Sequence, residues 1–276
     1  MNETLSNLHQ YRFDGVPALQ KSMSNTGTTQ SLQAAVKATI PARIHRPLLT
    51  WWRQLRRKPI PTNLLTGLEP VSRIWGLDRG SAIDHYYIEK FLSRHAADIR
   101  GATLEMADAR YTRKFGGDRV STSDVLHLVA GNPEATLIGD LATGAGIPRD
   151  AFDCMIVINT FLLIYDVRAA IANCYHALRE GGVLLAHFTA TASRCPDDAA
   201  WAGDFWRFTS ASARKLCEEM FPAQNVTVTV FGNVRTATAY LYGLAAEELQ
   251  PEELDYRDPN YEVAILVRAV KPVANS

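Results

Sequence analysis

The chain has 276 residues, 47% of them hydrophobic, and its 29 basic and 29 acidic side chains balance to a net charge of zero. A chain of this length can bury one sizeable α/β core with a small additional piece, and it has no apolar run long enough for a membrane-spanning helix. The four cysteines lack C-x-x-C spacing, so they are expected to be reduced packing residues of a cytoplasmic protein.

The balanced total conceals an uneven distribution of charge along the chain. Residues 1–68 hold nine Lys or Arg and two acidic residues, a net charge of +7, and the rest of the chain carries a net charge of −7. Prolines and a glycine cluster at positions 59–70, where the composition changes, as is typical of a domain boundary. We therefore predict a basic N-terminal arm over residues 1–68 and a core domain over residues 69–276.

The arm contains one amphipathic stretch that begins after Pro47, a residue suited to the first position of a helix. Its apolar face carries Leu48, Trp51, Trp52 and Leu55, and its basic face carries Arg53 and Arg57. A helix of this kind either lies on an anionic membrane surface or a partner protein, or packs its tryptophans onto the acidic core. Both alternatives stay open, and no nucleic-acid partner is expected.

Strands and helices alternate through the core region, as expected of a doubly wound, mostly parallel α/β sheet. Strands are predicted at Ala102–Ala107, Arg119–Leu126, Ala135–Leu141, from Phe152, from Val183, at Val226–Phe231 and at Tyr261–Ala269. Helices are predicted at Asp84–Ile99, between the fourth and fifth strands, at Ser210–Phe221 and at Thr236–Leu249. Gly181 and Gly182 are expected to end the crossover helix before the fifth strand.

The segment from Phe152 to Leu185 has the pattern F-D, apolar strand, helix, L-x-x-G-G-x-L-L. It resembles the fourth and fifth strands of class I S-adenosylmethionine (SAM) methyltransferases, and the resemblance extends more loosely over residues 70–270. It implies a seven-stranded Rossmann-like methyltransferase sheet with an antiparallel final strand, preceded by the helical N-terminal extension. It also implies SAM as the cofactor, bound at the carboxyl ends of the strands.

The resemblance assigns cofactor-binding roles to acidic residues at the strand ends. Glu105 lies in the first strand, and Asp124 with Val125 is expected to end the second. The Asp124 carboxylate suits the two ribose hydroxyls because it only accepts hydrogen bonds. Asp140 with Leu141 is expected to end the third strand, where the family holds the adenine edge.

Two further pairs of residues complete the expected cofactor site. Asn159 and Thr160 follow the fourth strand, where a backbone carbonyl of the family meets the SAM ammonium group. Tyr86 and Tyr87 precede the first strand, where related enzymes fold a segment over SAM. The alternative for the two tyrosines is that they are two faces of a packed helix.

The family's glycine loop, E-x-G-x-G-x-G, is altered in this chain. It reads Glu105-Met-Ala107-Asp-Ala109-Arg-Tyr111, so two alanines and a tyrosine replace the three glycines. Side chains at these positions either crowd the cofactor or move the loop, so weak SAM binding is expected. Arg110, Arg113 and Lys114 in the same region are suited to hold the SAM carboxylate or, alternatively, a phosphate.

The altered loop belongs to a wider set of short motifs, which includes Asp84-His-Tyr-Tyr87, Tyr111-Thr-Arg-Lys-Phe-Gly-Gly117 and Trp206-Arg-Phe-Thr-Ser210. The set resembles a bacterial subfamily of methyltransferase-like proteins often associated with glycosyltransferases or polysaccharide biosynthesis. The resemblance implies O-methylation of a saccharide or secondary-metabolite acceptor. The alternative is a catalytically silent methyltransferase-fold protein that its arm tethers to a glycosyltransferase or membrane complex. A dinucleotide-dependent oxidoreductase is disfavoured because no Gly-x-Gly-x-x-Gly motif occurs.

Methyl transfer to a hydroxyl requires positioning and a base. His187, at the expected end of the fifth strand, is the first candidate base, with a satisfied core histidine as the alternative. Asp204 lies in an aromatic-rich segment suited to cover a sugar face or a hydrophobic acceptor and is the second candidate. Asp166 is expected to cap the following helix, and no His, Cys or Asp cluster has metal-ligand spacing.

Overall fold

The computed structural model describes residues 67–194 and 203–273. The amphipathic stretch of the predicted arm lies outside these ranges, so the arm and its boundary at residue 68 stay predictions. In the described part of the chain, seven strands form one sheet in the order β3-β2-β1-β4-β5-β7-β6. They are β1 (Gly101–Met106), β2 (Val120–His127), β3 (Leu137–Ile138), β4 (Phe152–Val157), β5 (Leu178–Thr189), β6 (Val226–Phe231) and β7 (Ala264–Val270).

The pairing of the strands defines the fold class. Neighbouring strands from β3 to β5 pair in parallel, and β7 runs antiparallel to both β5 and β6. This order, with the reversed seventh strand between the fifth and the sixth, is that of the Rossmann-like methyltransferase sheet. The expected fold class is therefore confirmed.

Helices flank both faces of the sheet, and several begin at side-chain caps. They are α1 (Ile83–Arg94), α2 (Val167–Ala177), α3 (Ser210–Glu218), α4 (Val234–Leu241) and α5 (Pro251–Asp255). Asp166 caps α2 as predicted, because its side chain accepts a hydrogen bond from the backbone N–H of Ala169. None of the helices in the described residues combines the length and the apolar character needed to cross a membrane.

The core has two apolar layers because the central strands are buried on both faces, as parallel sheets require. One layer packs α2 and α3 against the sheet, with Ile171 and Cys217 among its fully buried residues. The other packs α1, α4 and α5 on the opposite face, with Tyr87 and Leu185 fully buried. Side chains alternate between the layers along each strand, so residue parity decides which layer a side chain enters.

Several predicted element boundaries differ from the structure, and three of the differences have a clear local reason. The crossover helix ends at Ala177, because Leu178 already pairs with Phe152; Gly181, at φ +73°, lies in an irregular stretch of β5. The predicted helix at 236–249 stops at Leu241, because Gly243 reverses the chain at φ +74°. The third strand shrinks to two paired residues at the edge of the sheet.

Candidate functional site

A cavity of about 550 Å³ opens at the carboxyl ends of β1 to β4 and is called the first cavity below. Open α/β sheets bind ligands at this edge. Its wall is built by the loops that follow the four strands, and it includes Ala107, Asp108, Arg110, Leu128, Asp140, Leu141, Asn159 and Thr160. Tyr165 and Phe205 line it as well, packed edge to face with ring centroids 5.5 Å apart.

Glu105 fixes the shape of the loop that follows β1. The carboxylate is 3% exposed and accepts hydrogen bonds from the backbone N–H groups of Tyr111 at 2.9 Å and Thr112 at 2.7 Å. Burial raises the pKa of the carboxyl, and the two amide donors oppose that shift because they stabilise the charged form. Glu105 lines the first cavity, but its oxygens are engaged in holding the loop.

Ala107 occupies the first glycine position of the loop and also adopts the backbone that a glycine would take there. Its φ is +67°, in the left-handed region that L-residues rarely enter. Both backbone polar groups of Ala107 are hydrogen-bonded: its N–H donates to Leu126 O at 3.1 Å, and its carbonyl oxygen accepts from Asn132 Nδ2 at 2.6 Å. The chain therefore keeps a glycine-type turn despite the substitution.

The other two altered positions differ from the first. Ala109 is not among the residues with positive φ and is 6% exposed. Tyr111 has right-handed helical angles, φ −78° and ψ −37°, and its side chain is 2% exposed. The Ala109 methyl group is buried, whereas Tyr111 both packs in the core and lines the first cavity.

Arg110 is the cationic group on the wall of the first cavity. Its guanidinium lies over the ring of Tyr111, 4.7 Å from the centroid, and Nη2 donates to the Tyr111 hydroxyl at 3.4 Å. Its Nε is buried and finds no hydrogen-bond partner among the described residues. A buried donor without a partner is costly, and an anionic ligand group would satisfy it.

Besides Glu105 and Ala107, four more of the predicted cofactor residues lie on the first cavity, namely Asp140, Leu141, Asn159 and Thr160. The Asp140 carboxylate also shapes its own loop, accepting from the Ala142 N–H at 2.8 Å and the Thr143 hydroxyl at 3.1 Å. Asn159 adopts a left-handed backbone, φ +50°, two residues beyond the end of β4. Their binding roles remain predictions.

The expected position of Asp124 at the end of the second strand was wrong. β2 continues to His127, and Asp124 accepts a hydrogen bond from the Thr136 hydroxyl at 2.8 Å outside the first cavity. Val125 is 2% exposed and is not on the cavity wall either. His127 and Leu128 occupy the cavity edge of β2, a position signalled by the apolar run that continues past Asp124.

Tyr86 and Tyr87 do not line the first cavity. The Tyr86 hydroxyl donates to Asp255 at 2.8 Å, and the Tyr87 hydroxyl donates to Leu254 O at 2.9 Å. The ring of Tyr87 stacks on Phe231 at 5.2 Å. Both residues join α1 to α5, as in the packed-helix alternative.

His187 is buried inside the sheet and reaches neither cavity described here. Its Nδ1 lies 2.6 Å from Asn159 Oδ1, an acceptor, so the proton is placed on Nδ1. Its Nε2 is fully enclosed with no partner in the described residues, and burial lowers the pKa of the ring to about 4. The expectation that His187 points to the ligand edge was wrong, because it shares the face of Leu185 beneath α1.

A second cavity, of about 140 Å³, lies between the N-terminus of α1, the loop after β4, the end of β5 and α4. Asp84, Asn159, Thr189, Asp204 and Tyr240 are on its wall, and Asn159 lines both cavities. Asp204, the second candidate for catalysis, has a side chain 1% exposed and forms an ion pair with Arg207. No cluster of His, Cys, Asp and Glu suited to a metal ion occurs in residues 67–194 and 203–273.

Comparison with known proteins gives matches among solved structures. No protein-family model and no curated protein matches the chain. It is similar to a SAM-dependent methyltransferase from Archaeoglobus fulgidus, with 10% identity and a TM-score of 0.45 over 70% of this chain and 96% of that one. It is similar to 1,6-didemethyltoxoflavin-N1-methyltransferase of Burkholderia thailandensis, solved with S-adenosylhomocysteine bound, with 14% identity and a TM-score of 0.43 over 68% and 77%.

A SAM-dependent methyltransferase from Thermotoga maritima is similar too, with 14% identity and a TM-score of 0.44 over 67% of this chain and 92% of that one. These similarities concern the path of the chain. The strand order and the cavity at the carboxyl ends of β1 to β4 define a class I methyltransferase-like fold.

Proposed function

We propose that the protein is a SAM-dependent methyltransferase that methylates a hydroxyl of a saccharide or secondary-metabolite acceptor in a biosynthetic pathway. The observation that carries this proposal is the loop after β1. It keeps a glycine-type turn at Ala107 and places Arg110 on the wall of the first cavity, with a buried Nε that has no hydrogen-bond partner among the described residues. An anion-binding donor beside a close-approach turn fits an adenosyl cofactor with a carboxylate.

In this proposal, different residues of the first cavity bind different parts of the cofactor. Arg110 holds the carboxylate, Asp140 and Leu141 bind the adenine edge, and the backbone at Asn159 and Thr160 meets the ammonium group. When bound, SAM would supply an electrophilic methyl group to an acceptor oxygen, with S-adenosylhomocysteine as the leaving group and the hydroxyl proton released to water. Asp124 is not included, because its carboxylate lies away from this cavity.

Calorimetric titration with S-adenosylhomocysteine and SAM tests the proposal, using Arg110→Gln with Arg113→Gln as the matched control. Arg113 carries the same charge in the same segment but pairs with Glu134 at the surface, 2.9 Å away. Losing a hydrogen bond to a charged group costs about 1.5–3 kcal/mol, so the Arg110 variant should bind roughly 10- to 150-fold more weakly. Absence of binding to the parent protein at millimolar ligand contradicts the proposal.

The second candidate function is a silent methyltransferase-fold protein that binds a glycosyltransferase or a membrane complex through its arm. The replaced glycines and the net charge of +7 over residues 1–68 favour it. Vesicles containing anionic lipid provide the test, because a peripheral arm would make the full chain co-sediment with them. Co-sedimentation without any SAM binding supports this candidate.

A cytoplasmic location is also proposed. Its support is the state of the described cysteines, Cys154, Cys174 and Cys217, which are buried free thiols. Burial raises the pKa of each thiol, which keeps it protonated and unreactive. Such residues suit a reducing compartment, and fractionation of cells expressing the full chain would test this assignment.

A further inference from the structure

The second cavity has the features of a built binding site for a small polar group. Three polar side chains on its wall are almost fully buried: Asp84 and Thr189 are 4% exposed, and Tyr240 is 5% exposed. Its 140 Å³ is several times the roughly 10–15 Å³ that one water molecule needs on a comparable measure. The space therefore suits a single small ring or a short branch of a larger molecule.

Asp84 is the central acceptor of this cavity. Its Oδ1 accepts the backbone N–H of His85 at 2.8 Å, and its Oδ2 faces Asn159 Nδ2 at 3.4 Å. Burial, together with the nearby Asp84 carboxylate, raises the pKa of Tyr240 well above its ordinary value. Each carboxylate oxygen has two acceptor sites, so Asp84 retains capacity for a further donor.

Thr189 supplies an independent sign that a ligand belongs here. Its hydroxyl oxygen is enclosed and has no hydrogen-bond partner within the described ranges, although it stands on the cavity wall. Buried hydroxyls are normally paired. A ligand hydroxyl can donate a hydrogen bond to Asp84 or to Thr189, and it can also accept one from the Thr189 hydroxyl. A hydroxylated ligand therefore suits both residues.

One of the two carboxylates on the cavity wall is already neutralised, which leaves Asp84 as the carboxylate that can meet a ligand. Asp204, the other carboxylate on the wall, is already neutralised by Arg207, with Oδ2 3.0 Å from Nη2. The Arg207 guanidinium opposes part of the rise in the pKa of Tyr240, so a cation bound beside Tyr240 would be repelled by this arginine. Trp75 and Leu77 give the same cavity an apolar wall, against which the C–H face of a sugar ring can pack.

We propose that the second cavity binds the acceptor as a neutral hydroxylated ring of the pyranoside type, with Asp84 and Thr189 as its hydrogen-bond partners. This inference rests on the proposed function, which places the cofactor in the first cavity. Because Asn159 lines both cavities, an acceptor in the second cavity would lie beside that cofactor. It assigns the recognition of the acceptor to α1 and β5, away from the altered loop.

Saturation-transfer NMR with the full chain tests this site, with S-adenosylhomocysteine present. The probes are the methyl pyranosides of glucose, galactose and mannose, and methylammonium and benzylammonium serve as cationic comparators. Asp84→Asn removes the charge with little change of shape, and Thr189→Val removes the hydroxyl. Asp255→Asn and Thr229→Val are the matched controls, because neither residue lines a cavity.

At least one pyranoside should show saturation transfer that falls at least fivefold in both cavity variants and persists in both controls. All four variants should melt cooperatively, which shows that they fold. Transfer to no pyranoside, transfer unchanged in Thr189→Val and Asp84→Asn, or preferential binding of the ammonium ions each overturns the inference. If S-adenosylhomocysteine fails to bind the parent while a pyranoside binds in an Asp84-dependent manner, the proposed function fails and the site stands.

Discussion

Replacing Ala107 by glycine should stabilise the protein, against the usual effect of an alanine-to-glycine change. Ala107 has φ +67°, and left-handed backbone costs an L-residue about 1–2 kcal/mol. Glycine escapes that cost but raises the entropy of the unfolded chain, which removes about 0.4–1 kcal/mol. The hydrogen bonds at Leu126 O and Asn132 involve only the Ala107 backbone and persist. The net expectation is a gain of about 0.5–1 kcal/mol in the free energy of unfolding.

Ala109→Gly is the matched control, two positions along the same loop. Ala109 lies outside the left-handed region and is 6% exposed, so glycine there brings no relief of strain. It loses about 0.8 kcal/mol for the buried methyl group and about 0.5–1 kcal/mol of backbone entropy. Urea unfolding of both full-length variants should therefore give changes of opposite sign. Equal losses in the two variants would refute the reasoning.

The same pair of variants separates two causes of weak cofactor binding. Because the backbone of Ala107 already follows the glycine path, Ala107→Gly removes a methyl group without redirecting the loop. A higher affinity for S-adenosylhomocysteine in this variant, measured by calorimetry, identifies crowding by that methyl group. An unchanged affinity removes crowding at position 107 as an explanation.

Three further predictions concern stability. Burial holds the pKa of His187 near 4, below the unfolded value of 6.5. Between these pH values the unfolded state binds more protons than the folded state, so the free energy of unfolding decreases as the pH falls from 6.5 to 4. The loss in the free energy of unfolding should reach about 3 kcal/mol by pH 4. His187→Gln should flatten this part of the dependence of stability on pH, and an unchanged dependence contradicts a buried neutral ring. Gly243→Ala should destabilise the fold by about 1–3 kcal/mol in urea unfolding, because its Cβ would stand 2.2 Å from Ser72 O at φ +74°; a neutral result contradicts the tight turn. A chain starting near Leu68 should remain soluble and melt cooperatively, and its aggregation would show that the arm belongs to the core.

The fold was predictable because parallel sheets leave a strong sequence signal. Apolar runs buried on both faces marked β4 and β5, and Val226–Phe231 was predicted with its observed bounds. β3 was predicted too long, because only two of its residues pair with β2. The predicted end of the crossover helix at Gly181 was wrong, because glycine occurs both at helix ends and in irregular strands. Only the strand pairing distinguishes the two cases.

The candidate site was less predictable because it depends on register and on which face a side chain occupies. Asp140 and Asn159 follow their strands directly, so topology alone brings them to the first cavity. The predicted position of Asp124 at the end of the second strand was wrong, because Asp124 pairs with Leu104 inside the parallel ladder and β2 continues to His127. The second cavity was missed because Asp84 and Thr189 are 105 positions apart in sequence, and no local motif links them.

The position of Asn159 on the walls of both cavities has a thermodynamic consequence. A ligand that shifts this side chain in one cavity alters the surface presented to the other, so the two occupancies become coupled. Coupling between binding sites is reciprocal: each ligand changes the affinity of the other by the same factor. The hydrogen bond between His187 Nδ1 and Asn159 Oδ1 opposes such a shift. We therefore expect a buried imidazole that lines neither cavity to limit the coupling between the two occupancies.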